Sequence, residues 1–350
     1  MIKQIFSFLL IFFATIICKA QTDTITIVAV GDIMMGTIYP DGKHLPPNKD
    51  CTPQLKELIP ILKSGDITFG NLEGVLTDSN SSAKKCNNPD ICYTFGMPTH
   101  FVNCLSDAGF NLLSIANNHV GDFGEQGRKS TVETLKKSGI RFAGLIDYCP
   151  TDIFTINGVK YGFCAFAPNM GTVNLKDIPA AEKIVRELAK TCDIVIVSFH
   201  GGGEGRGHRN VTRKTEFYLG EDRGNVYEFA HKMIDAGADV VLGHGPHITR
   251  AIEIYKGRFI AYSMGNFCTY DRINITGENG LAPIFKIYTD KTGKFLKAKI
   301  FPTYQIKFEP VRLDPQKRVI KVIQELTKAD FPEMNSVIII TDEGDILLKK

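Results

Sequence analysis

Short polar motifs follow a series of apolar runs in this chain, and this arrangement restricts the fold more than any other feature. The motifs are Gly31-Asp32, Gly70-Asn71-Leu72-Glu73, Asn117-Asn118-His119, His200 with Glu204, and Gly243-His244-Gly245-Pro246-His247. The runs before them are short and apolar, which indicates buried strands. Because ligands of open α/β sheets gather beyond the carboxyl ends of the strands, we expect these side chains to share one edge.

The residue types in these motifs predict a metal centre. Carboxylate and imidazole groups from several strand ends are typical ligands of divalent Mn, Fe or Zn. Pro246 restricts the backbone between His244 and His247, and the neighbouring glycines permit close approach to an ion or phosphate. Such centres generate a nucleophile from water and neutralise anionic substrates. The chain is therefore expected to be a metal-dependent hydrolase or its descendant.

The order of apolar patterns predicts an α/β chain whose first two-thirds alternate strand and helix. Predicted strands cover 25–30, 67–69, 111–116, 194–199 and 240–242, and predicted helices cover 55–63, 101–108, 125–137, 180–190, 226–236 and 316–327. Asn157-Gly158 predicts a hairpin, residues 250–308 are mainly strand, and a last hairpin passes through Gly344. We expect residues 21–350 to form a single domain with its core at about 26–330.

The N-terminus predicts export. Lys3 precedes an apolar stretch at residues 5–17, and small residues at Cys18 and Ala20 suit signal-peptide cleavage after Ala20. Lipid attachment at Cys18 is the alternative, which bulky Ile17 disfavours. The mature protein is then periplasmic or extracellular, with no later segment long enough to span a membrane. The formal net charge of +3 is too balanced to indicate nucleic acid as a partner.

Cysteine spacing allows disulfides in an exported chain but does not determine their connectivity. Cys51, Cys86 and Cys92 lie in polar stretches and are the expected bridge partners, whereas Cys164 and Cys192 are expected in the core. No pair has the spacing of a zinc finger, so metal binding by cysteine is not expected.

Two further segments adjoin the predicted edge. The loop at residues 201–213 is rich in glycine and arginine, and it is either a solvated loop or an anion-binding one. The segment at residues 262–267 ends another strand, and Ser263 lacks the signature of a nucleophile elbow. We predict Arg206, Arg209 and Asn266 as substrate-binding residues.

In this order, the motifs resemble those of the CapA family of capsule, or poly-γ-glutamate, synthesis proteins, which are similar to calcineurin-type metallophosphoesterases. The match runs over about residues 26–330. It includes Gly31-Asp32, the Gly-Asn-Leu-Glu-Gly motif at 70–74, Ala116 to His119 with Asp122, His200 with Glu204, residues 236–247, and Ser263 with Gly265-Asn266-Phe267.

The resemblance implies a four-layer αββα sandwich with one or two divalent metal ions at one edge. The implied metal ligands are Asp32, Glu73, Asn118, His200, His244 and His247, with Glu73 as the bridging carboxylate. His119 would protonate the leaving group, and Asp32 and Glu204 complete the predicted catalytic set. Ile33 and Met34 stand where phosphoesterases continue Asp-x-His, which points to fewer ligands or an altered reaction.

The expected function is hydrolysis or transfer at an anionic cell-envelope substrate, either a polymer or a phosphoester, within a capsule-synthesis complex. The alternative is a non-catalytic envelope protein that binds or guides a γ-glutamyl polymer. A secreted 5′-nucleotidase or diesterase is a third interpretation, which the missing Asp-x-His disfavours.

Overall fold

The computed structural model describes residues 24–85 and 93–349, which form a mixed α/β fold. Its α-helices are Thr52–Leu55 (α1), Ile59–Leu62 (α2), Phe101–Ala108 (α3), Gly124–Ser138 (α4), Ile178–Ala189 (α5), Val226–Ala236 (α6) and Arg318–Asp330 (α7). Its strands are Thr24–Met34 (β1), Ile67–Leu72 (β2), Val75–Leu76 (β3), Gly96–Met97 (β4), Leu112–Ser114 (β5), Arg141–Ala143 (β6), Thr151–Ile156 (β7), Val159–Phe166 (β8), Ile194–His200 (β9), Phe217–Tyr218 (β10), Glu221–Asp222 (β11), Val240–His244 (β12), Ile252–Tyr255 (β13), Arg258–Ala261 (β14), Asn266–Thr269 (β15), Leu281–Asp290 (β16), Phe295–Tyr304 (β17), Arg312–Leu313 (β18), Ile338–Ile340 (β19) and Asp345–Leu348 (β20).

Two large sheets form the centre of the molecule. The ten-stranded sheet has the order β19-β20-β17-β16-β1-β2-β5-β6, with β15 beside β1 and β18 beside β17. The six-stranded sheet has the order β13-β14-β12-β9-β8-β7. Strands β1, β2, β5 and β6 are parallel in the first sheet, as are β8, β9, β12 and β14 in the second. Each sheet therefore presents several carboxyl strand ends on one edge.

The sheets pack face to face between helices, because successive residues of a buried strand point to opposite faces. In β1, Ile27 joins the core between the sheets, whereas Val28 joins the core under α3 and α4. Phe69 and Phe163 meet across the sheets with ring centroids 5.9 Å apart. Helices α5 and α6 cover the outer face of the six-stranded sheet. The expected four-layer αββα sandwich is confirmed.

Several predicted elements agree closely with the structure. Helices α3 and α6 have the predicted bounds, and each ends at a glycine in the left-handed region, Gly109 at φ 100° and Gly237 at φ 114°. Asn157-Gly158 joins β7 to β8 as the predicted hairpin. The glycines that end these helices and the Asn-Gly turn between strands therefore act as the sequence predicts.

Several predicted boundaries are wrong, and the strand expected at 67–69, for example, continues to Leu72. The helix expected at 55–63 is divided into α1, a 3₁₀ turn and α2, because Pro60 lacks the amide hydrogen that a continuous helix requires. Strand β1 does not end before Gly31-Asp32 but continues to Met34. Its last residues pair with β15, and the pairing register shifts next to Asp32. The aspartate thus belongs to an irregular strand end.

Cys51 forms a disulfide with Cys104, which ties the start of α1 to α3. Cys51 was an expected bridge partner, whereas the other two, Cys86 and Cys92, lie outside the described residues. Cys164 is buried as expected. The predicted signal peptide at 1–20 and the alternative lipid site within it also lie outside the described ranges. Among residues 24–85 and 93–349, no helix has the length and apolar character of a membrane span.

Candidate metal centre

Strand register brings the predicted motifs to one edge of the sandwich. Asp32 of β1 lies beside Asn71 of β2, and Glu73 follows β2 directly. In the facing sheet, His200 at the end of β9 lies beside His244 at the end of β12. One sheet therefore contributes carboxylates and the other contributes imidazoles.

The carboxylates and imidazoles meet across the two sheets. Nδ1 of His244 lies 3.1 Å from Oδ1 of Asp32, and Nδ1 of His247 lies 3.1 Å from Oδ2 of Asp32. Nδ1 of His200 is 3.5 Å from Oε2 of Glu73, and Nε2 of His247 is 4.0 Å from Oε1 of Glu73. Ligand atoms of Asp32, Glu73 and His200 all lie within 4.8 Å of one another. The separations among Asp32, Glu73 and His200 suit ligands that share one small cation, since bonds of about 2.0–2.2 Å bring neighbouring ligand atoms this close.

Buried polar atoms without a hydrogen-bond partner in the described residues test whether a metal fits. They include Oε1 of Glu73, Oδ1 of Asn118, both ring nitrogens of His200 and Nε2 of His244. Buried polar atoms are normally paired, because each unpaired one costs about 1–3 kcal/mol. A divalent cation would satisfy these donors, and their chemistry matches Mn, Fe or Zn. The residues present therefore fit such an ion.

Burial and mutual charge set the protonation of this cluster. Burial, together with the charge of Asp32, raises the pKa of Glu73 well above its ordinary value. Burial opposes ionisation of Asp32, but hydrogen bonds from His244 and His247 keep its pKa below the ordinary value. Burial likewise opposes protonation of His247, yet the hydrogen bond and charge of Asp32 raise its pKa to about 10. Burial holds the pKa of His200 well below its ordinary value.

The side-chain amide of Asn71 lies between the carboxylates of Asp32 and Glu73. Nδ2 of Asn71 donates to Oδ1 of Asp32 at 2.8 Å and to Oε2 of Glu73 at 2.5 Å. Asn117 in turn donates to Oδ1 of Asn71 at 3.3 Å. No role is predicted for Asn71 from the sequence, although its place in the Gly-Asn-Leu-Glu motif is a signal. Its fully buried amide fixes the orientation of both carboxylates.

His119 lies at the border of the cluster. Its Nδ1 donates to Oδ2 of Asp122 at 2.7 Å, and its Nε2 lies 3.9 Å from Oε1 of Glu73. The Phe95 ring packs against the imidazole, with centroids 4.1 Å apart and planes tilted by 36°. Lys84 contacts the other oxygen of Asp122 at 2.6 Å. These contacts direct Nε2 of His119 towards the acids.

Other predicted site residues lie further out. Glu204 pairs with Arg223 at 3.2 Å, and its charge still raises the pKa of Glu73 and of His247. Arg206 is exposed on the loop. Arg209 lies 3.6 Å from Glu278 and 3.8 Å from Glu325, so acids of the protein itself already balance its charge.

Asn266 was predicted to bind substrate, but its side chain is fully buried behind His247. Its Oδ1 accepts from Nδ1 of His247 at 3.0 Å, and its Nδ2 donates to the backbone oxygen of His247 at 3.1 Å. Both ends of the amide are therefore engaged with the histidine loop. The structure places Asn266 where it orients His247 and leaves it no surface open to a substrate.

Glycines permit the close approach of backbones at this edge. A Cβ at Gly31 would lie 1.9 Å from the carbonyl oxygen of Gly265, the atom that accepts a hydrogen bond from the Asp32 amide at 2.8 Å. A Cβ at Gly243 would lie 2.4 Å from the carbonyl oxygen of Tyr262. Asp32 and His244 each follow one of these glycines. The strand ends that carry them can lie this close to the neighbouring backbone only because residues 31 and 243 have no side chain.

Residues 26–271 match the family model described as bacterial capsule synthesis protein PGA_cap. The chain is 29% identical over 324 residues to the PGA biosynthesis protein CapA of Bacillus subtilis, covering 87% of this chain and 78% of that protein. It is 27% identical over 266 residues to the capsule biosynthesis protein CapA of Bacillus anthracis, covering 71% of this chain and 60% of the other. A Mycobacterium tuberculosis protein named as a polyglutamine synthesis accessory protein is 30% identical over 227 residues, covering 57% of this chain and 55% of that one.

Among solved structures, the chain is similar to a 5′-nucleotidase precursor from Thermus thermophilus. The sequence identity is 12% and the TM-score 0.42, over 90% of this chain and 60% of that chain.

Proposed function

The chain belongs to the bacterial capsule synthesis family described as PGA_cap, and we propose that it is an exported member with hydrolase or transferase activity at an anionic cell-envelope substrate. The observation that carries this proposal is the convergence of buried, unpaired carboxylate, amide and imidazole atoms at one edge of the sandwich. Most buried polar atoms in native folds are paired, so a cluster of unpaired ones at one place indicates a missing partner. A metal centre supplies that partner.

The proposed metal ligands are drawn from both sheets: Asp32, Glu73, Asn118, His200, His244 and His247. A bound divalent metal supplies Lewis-acid polarisation of an anionic substrate and lowers the pKa of water. Asn71 holds the two carboxylates in place by its short hydrogen bonds. Asn266 keeps the proton of His247 on Nδ1, which leaves Nε2 as the ligating atom.

His119 is the proposed proton donor to the leaving group. Asp122 accepts from Nδ1 and fixes the ring, so Nε2, the nitrogen that faces the acids, is the atom that would pass a proton to the leaving group. Contact with the Phe95 ring, whose centroid lies 4.1 Å away, restricts rotation of the imidazole. Proton donation at a positioned imidazole contributes about 10²–10⁴-fold to a rate.

Export is supported by the disulfide between Cys51 and Cys104, since disulfides persist in oxidising compartments. The predicted signal peptide, with cleavage after Ala20, agrees with that location. The proposed place of action is therefore the periplasm or the cell surface.

Metal content tests the centre directly. Protein purified without chelators should contain one or two equivalents of Mn, Fe or Zn by elemental analysis, and His244→Ala/His247→Ala should contain none. His100→Ala is the matched control, because His100 is exposed and contacts the backbone oxygen of Lys49 and the ring of Phe101, neither of which belongs to the candidate centre. Wild-type protein that neither contains nor takes up these metals would refute the proposal.

Catalysis is tested separately on phosphoesters and γ-glutamyl peptides. His119→Asn should lower kcat about 100-fold while metal content stays unchanged, because the side chain acts on the proton and not on the metal. His100→Asn should retain wild-type turnover. Equal turnover by His119→Asn and wild type would exclude His119 as the proton donor.

The second candidate is a non-catalytic role in binding or guiding an anionic γ-glutamyl polymer. Met34 favours it, because a fully buried thioether stands where phosphoesterases place another ligand. The accessory name of the Mycobacterium relative supports it as well. Metal-loaded protein that binds polyglutamate at low salt, with binding lost in Arg206→Ala and no turnover of any substrate, would favour this role.

A further inference from the structure

A fully buried ion pair lies beside the candidate centre but contributes no ligand to it. Nη1 of Arg250 donates to Oε1 of Glu216 at 2.9 Å, and Nη2 donates to Oε2 at 2.7 Å. The side chains are 0% and 3% exposed. The contact has the two parallel bonds of a guanidinium–carboxylate fork, which fixes both planes relative to each other.

Both residues of this ion pair also form hydrogen bonds with the loop that follows His200. Gly203 accepts from Nη2 of Arg250 at 3.2 Å through its carbonyl, and its amide donates to Oε2 of Glu216 at 2.8 Å. Arg250 itself follows His247 by three residues, as Gly203 follows His200. The ion pair therefore joins the segments behind two proposed ligands.

The loop has no side chains of its own to pack at its first three positions, because residues 201–203 are all glycine. A Cβ at Gly202 would lie 3.0 Å from Nη1 of Arg250, and its φ of 87° also favours glycine, so the guanidinium approaches closely here. The remaining attachments are backbone bonds from Gly201 to His244, from Gly202 to Arg223 and from Gly205 to Pro246, and the ion pair of Glu204 with Arg223. The fork of Arg250 and Glu216 is the attachment that holds Gly203.

Stability alone does not account for this pair. Desolvation of two buried charges offsets most of their attraction, and well-packed apolar replacements are often equally stable. Apolar side chains cannot reproduce the two directional hydrogen bonds between guanidinium and carboxylate, which fix the distance between the segments that follow His200 and His247. We propose that Arg250 and Glu216 are positioning residues that keep His200 and His247 in ligating geometry, an inference that rests on the proposed metal centre.

The test uses the full mature chain with three variants: Arg250→Met, Glu216→Leu and the double variant. Each single variant leaves one buried charge unpaired and should melt at a lower temperature. The double variant leaves none and should recover most of the wild-type melting temperature, yet bind Zn²⁺ and Mn²⁺ about 10–100-fold more weakly. Arg258→Met, which breaks the 3.0 Å pair with Asp239 elsewhere in the six-stranded sheet, is the control and should keep wild-type affinity.

A second readout does not depend on metal. Hydrogen exchange of the metal-free protein should be faster at residues 201–205 in the double variant than in wild type, with the sheet core unchanged. Wild-type metal affinity in a stable double variant would overturn the inference, and so would unchanged exchange at 201–205. If wild type binds no metal, the proposed function fails, and the exchange result still decides whether the pair positions the loop.

Discussion

Metal binding to the candidate centre should be strongly coupled to proton release. The pKa of His247 is raised to about 10 by Asp32, so the ring is an imidazolium at neutral pH. Its Nδ1 faces Asp32 and Asn266, and the proton that a metal must displace is therefore the one on Nε2. Burial and the charge of Asp32 raise the pKa of Glu73, which favours its protonated carboxyl and adds to the competition between protons and metal.

The size of the effect follows from these values. Removing a proton at pH 7 from a group whose pKa is about 10 costs about 4 kcal/mol, or about a thousandfold in metal affinity. Raising the pH removes the competing protons, so affinity should increase with pH. We expect the association constant to rise about 10–100-fold per pH unit between pH 6 and 8, according to whether one or two protons leave.

Competition with a chromogenic zinc chelator at several pH values measures this slope. Glu73→Gln cannot release the carboxyl proton, so it should bind zinc more weakly and with a shallower dependence on pH. Glu125→Gln, at an exposed position on α4, should behave as wild type. An affinity that does not change across this pH range would refute the protonation pattern assigned to the cluster.

Three further predictions concern stability and reactivity. Gly31→Ala places a Cβ 1.9 Å from a carbonyl oxygen, so it should lower the free energy of unfolding by about 2–4 kcal/mol in urea titrations. Gly207→Ala is the control, because the space around its Cβ is open, and it should change this free energy by under about 0.5 kcal/mol. Removal of the disulfide by Cys51→Ser/Cys104→Ser should cost about 2–5 kcal/mol in the same assay; an unchanged midpoint and slope would contradict this. Burial raises the pKa of the Cys149 thiol to about 11, so its alkylation, followed by peptide mass spectrometry, should accelerate about tenfold per pH unit from 8 to 10; a rate already at its plateau at pH 8 would contradict the shift.

Local sequence signals determined most of the elements. Gly109 and Gly237 end helices where the sequence predicts, because a left-handed cap depends on one residue type at one position. The Asn157-Gly158 hairpin is equally local. The prediction of one continuous helix at residues 55–63 is wrong. It rests on apolar spacing, whereas Pro60 interrupts the helix.

The sequence also identified the types of side chain at the candidate centre, since each motif follows a strand that is recognisable by its apolar residues. It could not determine which of these side chains touch. Asp32 and His244 are 212 positions apart and meet only because two sheets pack face to face with their carboxyl ends on one edge. The same packing places Asn266 in a hydrogen bond with His247 and brings Arg209 close to the carboxylate of Glu278.

Tertiary structure alone revealed Asn71 as the link between the two acids and the buried fork of Arg250 with Glu216. Arginine and glutamate usually lie on the surface, so nothing in their local sequence distinguishes a buried pair from a solvated one. Their burial depends on the layers that cover them, and a local pattern carries no information about distant layers. Local patterns therefore account for the strands, the turns and the types of side chain at the candidate centre, whereas the three-dimensional packing decides which of these side chains meet, which orient others and which neutralise one another.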